Sequence, residues 1–273
     1  MVKNNYIELL KNVLTDFHRI EFVEYKPIHF PAPTFKQKLM MDFDKYLAKR
    51  NYRICNTIAF NKETRMVGKD WPSHAETMIG IKRLDNIQFC VEQILKDNIP
   101  GDLIETGVWR GGAVIFMKAL LENAGVNNRK VWVADSFEGL PKPNADKYKA
   151  DAGDLHYTEQ ALAISLEQVK GNFEKYGLLD DNVKFLKGWF SETLPKAPIE
   201  SLALLRLDGD MYESTMDGLV NLYPKLTSGG YIIIDDWGAV EGCRLAVNDY
   251  RQQHGITEEI ITIDWGGVYW RKK

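Results

Sequence analysis

Five stretches between residues 102 and 238, "DLIETG", "KVWVADSF", "VKFLKG", "LALLRLDGD" and "GGYIIIDDWG", pair a short apolar run with a closing acid, glycine or aromatic residue. Amphipathic stretches lie between them, and their spacing predicts helices over 111–123, 158–176, 214–226 and 241–254. A strand that is apolar on both faces must be covered on both faces, and strands joined through helices run parallel. The pattern therefore demands an α/β fold built on a parallel sheet. Upstream, Ile79, Leu84, Ile87, Val91, Ile94 and Leu95 mark one face of a further helix. The closing "EEIITIDWGGVYWRKK" breaks the alternation and reads as two strands around a Gly-Gly turn, an antiparallel hairpin at the sheet edge.

The first 75 residues follow no such rule. Ile7, Leu9, Leu10, Val13, Leu14 and Phe17 fall at near-helical spacing, and "YKPIHFPAP" then stops any helix with three prolines in nine residues. That stretch reads as an arm or linker. A second helix, "FKQKLMMDFDKYLAKR", precedes a segment of mixed character, periodic in neither sense, whose Trp71, His74 and Met78 suit a lid rather than a disordered tract. The expected organisation is an N-terminal helical arm and lid, 1–75, and a catalytic domain, 76–273. With 35 basic and 38 acidic residues, net charge −3, the chain has no field that would draw it to nucleic acid or an anionic membrane. Cys55, Cys90 and Cys243 show no paired metal or redox spacing, and no apolar run of about 18 residues suggests a membrane span. A soluble, cytoplasmic protein is the expectation, and the apolar N-terminal helix with its proline arm suits a homodimer contact.

In open α/β sheets, ligands bind beyond the carboxyl ends of the strands. Those ends offer, in order, Glu105 with Thr106, Gly107, Gly111 and Gly112; Asp135 and Ser136; Gly188 and Trp189; Asp208 and Asp210; and Asp235 and Asp236. The first turn lacks the G-x-G-x-x-G of a dinucleotide site, and no phosphate-cradling P-loop motif occurs. Glu105 would repel a pyrophosphate and pair with an ammonium group, while Asp135 stands where an acid accepts hydrogen bonds from ribose hydroxyls. A nucleoside carrying an amino acid, S-adenosylmethionine, satisfies both. The bare turn would let backbone approach the methionine end; a glycine-rich turn taken alone is more often simple packing, and Glu105 with Asp135 reverses that reading.

Asp208 precedes the Asp235–Asp236 pair by about one strand–helix–strand unit, which brings the three acids onto one rim. "DGD" alone reads as a turn and "DD" alone as a solvated loop; together they suit a hard divalent cation such as Mg²⁺. Such an ion would acidify a bound hydroxyl, and Asp210 could receive the proton. His74 and His156 are candidate substrate contacts in loops.

"RMVGKDWPSHAETMIGIKRLDN", "DLIETGVWRGGA", "VADSFEGLP", "GWFSETLP", "LRLDGDMYEST" and "GGYIIIDDWG" resemble, in order, the signatures of the macrocin O-methyltransferase (TylF-like) family, over roughly residues 60–273. The resemblance implies a Rossmann-like class I S-adenosylmethionine-dependent methyltransferase fold, with a seven-stranded sheet, the C-terminal hairpin and the N-terminal lid. It implies Mg²⁺ on Asp208, Asp235 and Asp236, and Asp208 or Asp210 as the general base. Donor contacts fall on Met78, Ile79 and Gly80; on Glu105, Thr106, Gly107 and Gly111; on Asp135 and Ser136 for ribose; on Gly188 and Trp189 beside adenine; and on Asp208. The implied reaction is methylation of a sugar hydroxyl on a glycosylated natural product. A metal-dependent O-methyltransferase acting on a catechol or other phenol is the alternative.

Overall fold

The computed structural model describes residues 5–19, 23–30 and 33–273. They fall into two compact units, Met1–Phe17 with Thr64–Lys273, and His18–Glu63. In the larger unit, helix α1 (Asn5–Leu14) opens the chain. The smaller unit holds strand β1 (Val23–Pro27), helix α2 (Phe35–Ala48) and strand β2 (Cys55–Ala59), with β1 and β2 antiparallel from Val23 opposite Ala59 to Pro27 opposite Cys55. Thr34 starts α2 through a capping box with Gln37. The proline-bearing stretch expected as a bare arm thus supplies a strand, and the aperiodic segment supplies its partner. Strand β2 lacks the alternation of a half-buried sheet, since all of it after Cys55 is exposed. Helix α3 (Lys62–Met66) carries the chain into the larger unit.

There the expected alternation is realised. Helix α4 (Ile81–Lys96), β3 (Asp102–Thr106), α5 (Gly112–Asn123), β4 (Val131–Asp135), α6 (Leu166–Lys175), β5 (Val183–Lys187), the short α7 (Phe190–Thr193), β6 (Leu202–Leu207), α8 (Tyr212–Leu222), β7 (Leu226–Ile234), α9 (Glu241–Gln253), β8 (Ile261–Thr262) and β9 (Val268–Arg271) follow in order. The sheet has seven strands, ordered β5-β4-β3-β6-β7-β9-β8. The first five are parallel, and β9 runs antiparallel to both β7 and β8. Two apolar layers sandwich it. Leu103, Val131 and Val133 pack toward α4, α5 and α6; Ile104, Trp132 and Ala134 pack toward α8 and α9. This period-two division explains why those strands read as continuously apolar.

Two boundaries differ from the sequence expectation. The helix expected from 158 begins at Leu166, because Ser165 caps it through Gln168 N–H (3.2 Å), and 156–158 and 160–162 form short 3-10 turns instead. The helix over 214–226 ends at Leu222, and its last residues turn into β7.

The division of the chain also departs from a boundary at 75/76. Helix α1 buries Ile7, Leu10 and Leu14 in the same cluster as α4 and α5. The Leu14 carbonyl accepts the N–H groups of Glu76 (3.0 Å) and Thr77 (3.3 Å). Ile7, Leu10 and Leu14 are therefore spent inside their own unit, whereas Tyr6 and Leu9 of the same helix stay exposed. Among the described residues no helix is long and apolar enough to cross a membrane. Leu14 is wholly buried, so Leu14→Ala is expected to cost about 2–5 kcal/mol in urea-monitored unfolding, and a cost below about 0.5 kcal/mol would place α1 outside the core.

Candidate active site

A cavity of about 580 Å³ is lined by residues at the carboxyl ends of the five parallel strands. Its wall includes Glu105 and Gly107 after β3, Asp135 and Ser136 after β4, Gly188 and Trp189 after β5, Asp208 and Asp210 after β6, and Asp235 and Asp236 after β7. Met78 and Ile79 line it as well, together with Gly68, Lys69, Asp70 and Trp71 from the segment expected as a lid. His156 is on the wall; His74 is not.

Three expected donor contacts lie off the wall, each with a packing role. Gly80 caps α4, and a Cβ there would stand 2.3 Å from the Met66 carbonyl oxygen. Thr106 is buried, and its carbonyl accepts the Asp208 N–H at 2.9 Å. Gly111 caps α5 with φ +87°, where a Cβ would press on Val169. The bareness of the β3–α5 turn has the same origin. Gly107, at φ +80°, brings its Cα so close to the Asp208 backbone that a Cβ would lie 1.7 Å from that carbonyl oxygen. Gly112 donates its N–H to the Glu76 carbonyl at 2.8 Å, and a Cβ would strike the same peptide. Of these glycines only Gly107 also faces the cavity. The turn is stripped so that chain can pack on chain.

The acids are organised by a residue the sequence reading passed over. Arg206, the one charge inside "LALLRL", is 1% exposed on β6 and lies among three carboxylates. It donates to Glu105, to Asp208 Oδ2 (2.8 Å) and to Asp235 Oδ1. A second buried guanidinium, Arg83 on α4, donates to Asp235 Oδ2 and through Nε to both Asp264 oxygens (2.9 and 3.1 Å). Both oxygens of Asp235 are thus held by arginine. Asp236 Oδ2 accepts the Asp210 N–H at 3.1 Å. The mutual repulsion of the acids, expected to need a metal, is already relieved in part by two guanidiniums.

Relief is incomplete, since carboxylates outnumber guanidiniums at these strand tips. Burial pushes the Glu105 carboxyl up to about 8 against the pull of Arg206. Burial and the neighbouring Asp235 raise Asp208. Burial raises Asp210, with His156 opposing, and burial with Asp210, Asp208 and Asp235 holds Asp236 far above the carboxylate range. Asp208, Asp235 and Asp236 each offer an oxygen, all within 4.8 Å of one another. Glu105 Oε2 is buried with no hydrogen-bond partner. Asp135, raised by burial, accepts N–H groups from Val108 (2.8 Å) and Phe137 (2.7 Å) on different oxygens, and the Ser136 hydroxyl lies 3.4 Å from Oδ1. Ser136 is committed to its loop: its hydroxyl donates to the Gly139 carbonyl (2.7 Å) and accepts the Glu138 N–H (3.0 Å).

The model of the macrocin O-methyltransferase (TylF) family matches residues 3–272. This chain belongs to that family. A tetracenomycin-C 4'-O-methyltransferase of Streptomyces olivaceus, whose name specifies an 8-demethyl-8-(2,3-dimethoxy-alpha-L-rhamnosyl) substrate, is 58% identical over 77% of this chain and 80% of its own. Demethyldecarbamoylnovobiocin O-methyltransferase of Streptomyces niveus is 54% identical over 78% and 82%. The solved structure of the O-methyltransferase NovP superposes with TM-score 0.83 at 45% identity, covering 98% of both chains. The family match reaches far upstream of residue 60, where the resemblance in sequence begins, and takes in the buried α1.

The chain is therefore an O-methyltransferase with the class I fold. Its acids sit where sequence reasoning put them, and the two arginines that hold them were missed. Arg206 carried a readable signal, because a charge in a strand covered on both faces must be buried with counterions. Arg83 carried none, being one of two adjacent basic residues in "IKRLDN". A carboxyl raised by folding favours the folded state below its unfolded value and loses that contribution as pH climbs through its folded value. Glu105 moves from 4.5 to about 8. The melting temperature of the metal-free enzyme is accordingly expected to fall between about pH 5 and about pH 8, and Glu105→Gln should flatten that slope. A melting temperature that rises over this range would contradict the electrostatics described.

Proposed function

We propose that this O-methyltransferase moves the methyl group of S-adenosylmethionine to a sugar hydroxyl of a glycosylated natural product, with Mg²⁺ held by Asp208, Asp235 and Asp236. The observation that carries the reading is the convergence of those three carboxylates in one cavity with Glu105 and Asp135. The donor set fits the ion: carboxylate oxygens are hard ligands, and an excess of buried negative charge favours a divalent cation. When bound, Mg²⁺ would supply a Lewis acid beside the acceptor hydroxyl. The donor is already activated, its methyl carried on a cationic sulfur.

The wall also fits the donor. The unpartnered Oε2 of Glu105 suits its ammonium group, and the Asp135 carboxyl on the same wall suits ribose hydroxyls. Gly188 and Trp189, on the next strand tip, are placed to flank the base. Asp210 takes the hydroxyl proton as the oxygen attacks the methyl carbon in line. Its carboxyl lines the cavity two residues beyond Asp208, in a left-handed conformation (φ +55°) that turns the chain at this point. Arg206 and Arg83 contribute by keeping Asp235 and Asp208 fixed, so that little reorganisation accompanies the reaction. The name of one relative supports the sugar reading, since it specifies a rhamnosyl-bearing substrate.

Three measurements bear on this reading. Asp208→Asn is expected to lower turnover by at least about 100-fold, the worth of several kcal/mol of charge stabilisation, while calorimetric binding of S-adenosylhomocysteine persists; a fully active variant would refute the role of Asp208. Exhaustive EDTA treatment should remove activity and added Mg²⁺ restore it, and undiminished activity in EDTA would discard the ion. A panel of deoxysugar glycosides and catechols with labelled donor tests the acceptor. Label on glycosides supports the sugar, whereas label confined to catechols overturns it.

A further inference from the structure

The turn between β8 and β9 presents an aromatic side chain to the cavity and fixes it there. Trp265 lines the cavity wall, yet is 42% exposed. A large aromatic residue ordinarily gains by turning inward, so its holding contacts deserve an account. The indole N–H donates to the Val67 carbonyl at 2.8 Å. The guanidinium of Arg83, itself pinned by Asp235 and Asp264, lies 5.4 Å from the ring centroid, and the Lys69 ammonium lies at 5.3 Å. The backbone is equally constrained. Asp264 Oδ1 accepts the N–H groups of Gly266 (3.0 Å) and Gly267 (2.9 Å), and the Gly266 carbonyl accepts the Gly238 N–H at 2.8 Å. A Cβ on Gly266 would stand 2.4 Å from Arg83 Nη2, so this turn wraps the arginine with bare backbone.

Sheet order says what such a ring would meet. The strand tips run β5-β4-β3-β6-β7-β9. Those of β5, β4 and β3 carry Gly188, Asp135 and Glu105, assigned above to the donor, and those of β6 and β7 carry the three acids. The turn leading into β9 stands beyond the acids, on the side away from the donor. In-line transfer needs the acceptor on that side. Because its single N–H is spent on Val67, Trp265 offers only apolar and π contact. The C–H face of a saturated ring is the complement of such a surface.

We propose that Trp265 is the wall on which the enzyme seats the apolar face of the sugar ring to be methylated. This inference rests on the sugar-directed reading above. The test uses full-length enzyme, Mg²⁺ and whichever glycoside of the panel the wild type turns over. Trp265→Ala is expected to raise KM for the glycoside by about tenfold or more, the scale of a buried aromatic contact. Trp265→Phe should restore KM to within about threefold, because a phenyl ring retains the stacking surface. The calorimetric affinities for S-adenosylhomocysteine and for Mn²⁺ as a Mg²⁺ surrogate should match wild type in both variants. Adding the glycoside should also quench wild-type tryptophan emission by an increment absent from Trp265→Phe. An unchanged KM in Trp265→Ala overturns the inference while leaving the sugar reading intact. Loss of donor or Mn²⁺ affinity in Trp265→Phe overturns it too, showing a purely structural ring. A wild type that methylates no glycoside overturns the sugar reading itself, and this inference with it.

Discussion

The site depends on one buried guanidinium. Arg206 enters from a strand that is otherwise wholly apolar and meets Glu105, Asp208 and Asp235, carboxylates contributed by three neighbouring strands. None of these charges could be taken from water alone, since the desolvation penalty for an isolated buried ion amounts to several kcal/mol. Parallel strands make the arrangement possible. Their carboxyl ends lie side by side, so one side chain on the central β6 reaches acids on β3 to one side and after β7 to the other. Such a network gains less in stability than its bond count suggests. Its value here is positional, because side chains that share a rigid planar donor keep their relative places without a ligand.

The remaining imbalance of charge gives the cavity its chemical preference. Burial and mutual repulsion raise Glu105, Asp208, Asp210 and Asp236 together. Whatever enters is favoured if it brings positive charge, and the proposed donor brings an ammonium and a sulfonium while the proposed ion brings two charges more. Methyl transfer turns the sulfonium into a neutral thioether. The same field that draws the donor in therefore holds the product less strongly, without any moving part. A phosphate-bearing dinucleotide would meet the opposite response, in keeping with the absence of a P-loop and of G-x-G-x-x-G.

The acids and the succession of strands along the chain were legible in the sequence because both follow from local rules: apolar runs set the strands, and the residue just past each run must lie on the rim. The glycines after β3 were legible as a turn but not as a purpose. Gly107 and Gly112 are bare because Asp208 and Glu76 approach from elsewhere in the chain, and such approach has no local signature. Helix α1 failed in the same way. Ile7, Leu10 and Leu14 announced an apolar face, but a helix pattern does not name its partner, and the partner was the unit's own core. Strand β2 escaped notice because it buries no alternating face, which is the property that sequence periodicity reports, and its partner β1 went unread with it. The helix expected over 158–176 begins only at Leu166, where the Ser165 cap fixes its start, and 160–162 form a 3-10 turn instead.

The C-terminal hairpin shows how an element that breaks the pattern can be drawn into the chemistry. On topology alone β8 and β9 merely continue the sheet past β7, and a plain edge cover would serve as well. Their turn instead carries Asp264, whose carboxylate holds Arg83 by two bonds through Nε while accepting two backbone N–H groups of its own turn. That doubling keeps the Asp264 carboxyl below its ordinary value in spite of burial, so it stays charged opposite Arg83. Arg83 in turn fixes the second oxygen of Asp235, the first being fixed by Arg206. A carboxylate with both oxygens committed in this way is held to one orientation. The chain thus spends its last turn, more than 25 residues beyond the acid in question, on fixing the orientation of one carboxylate.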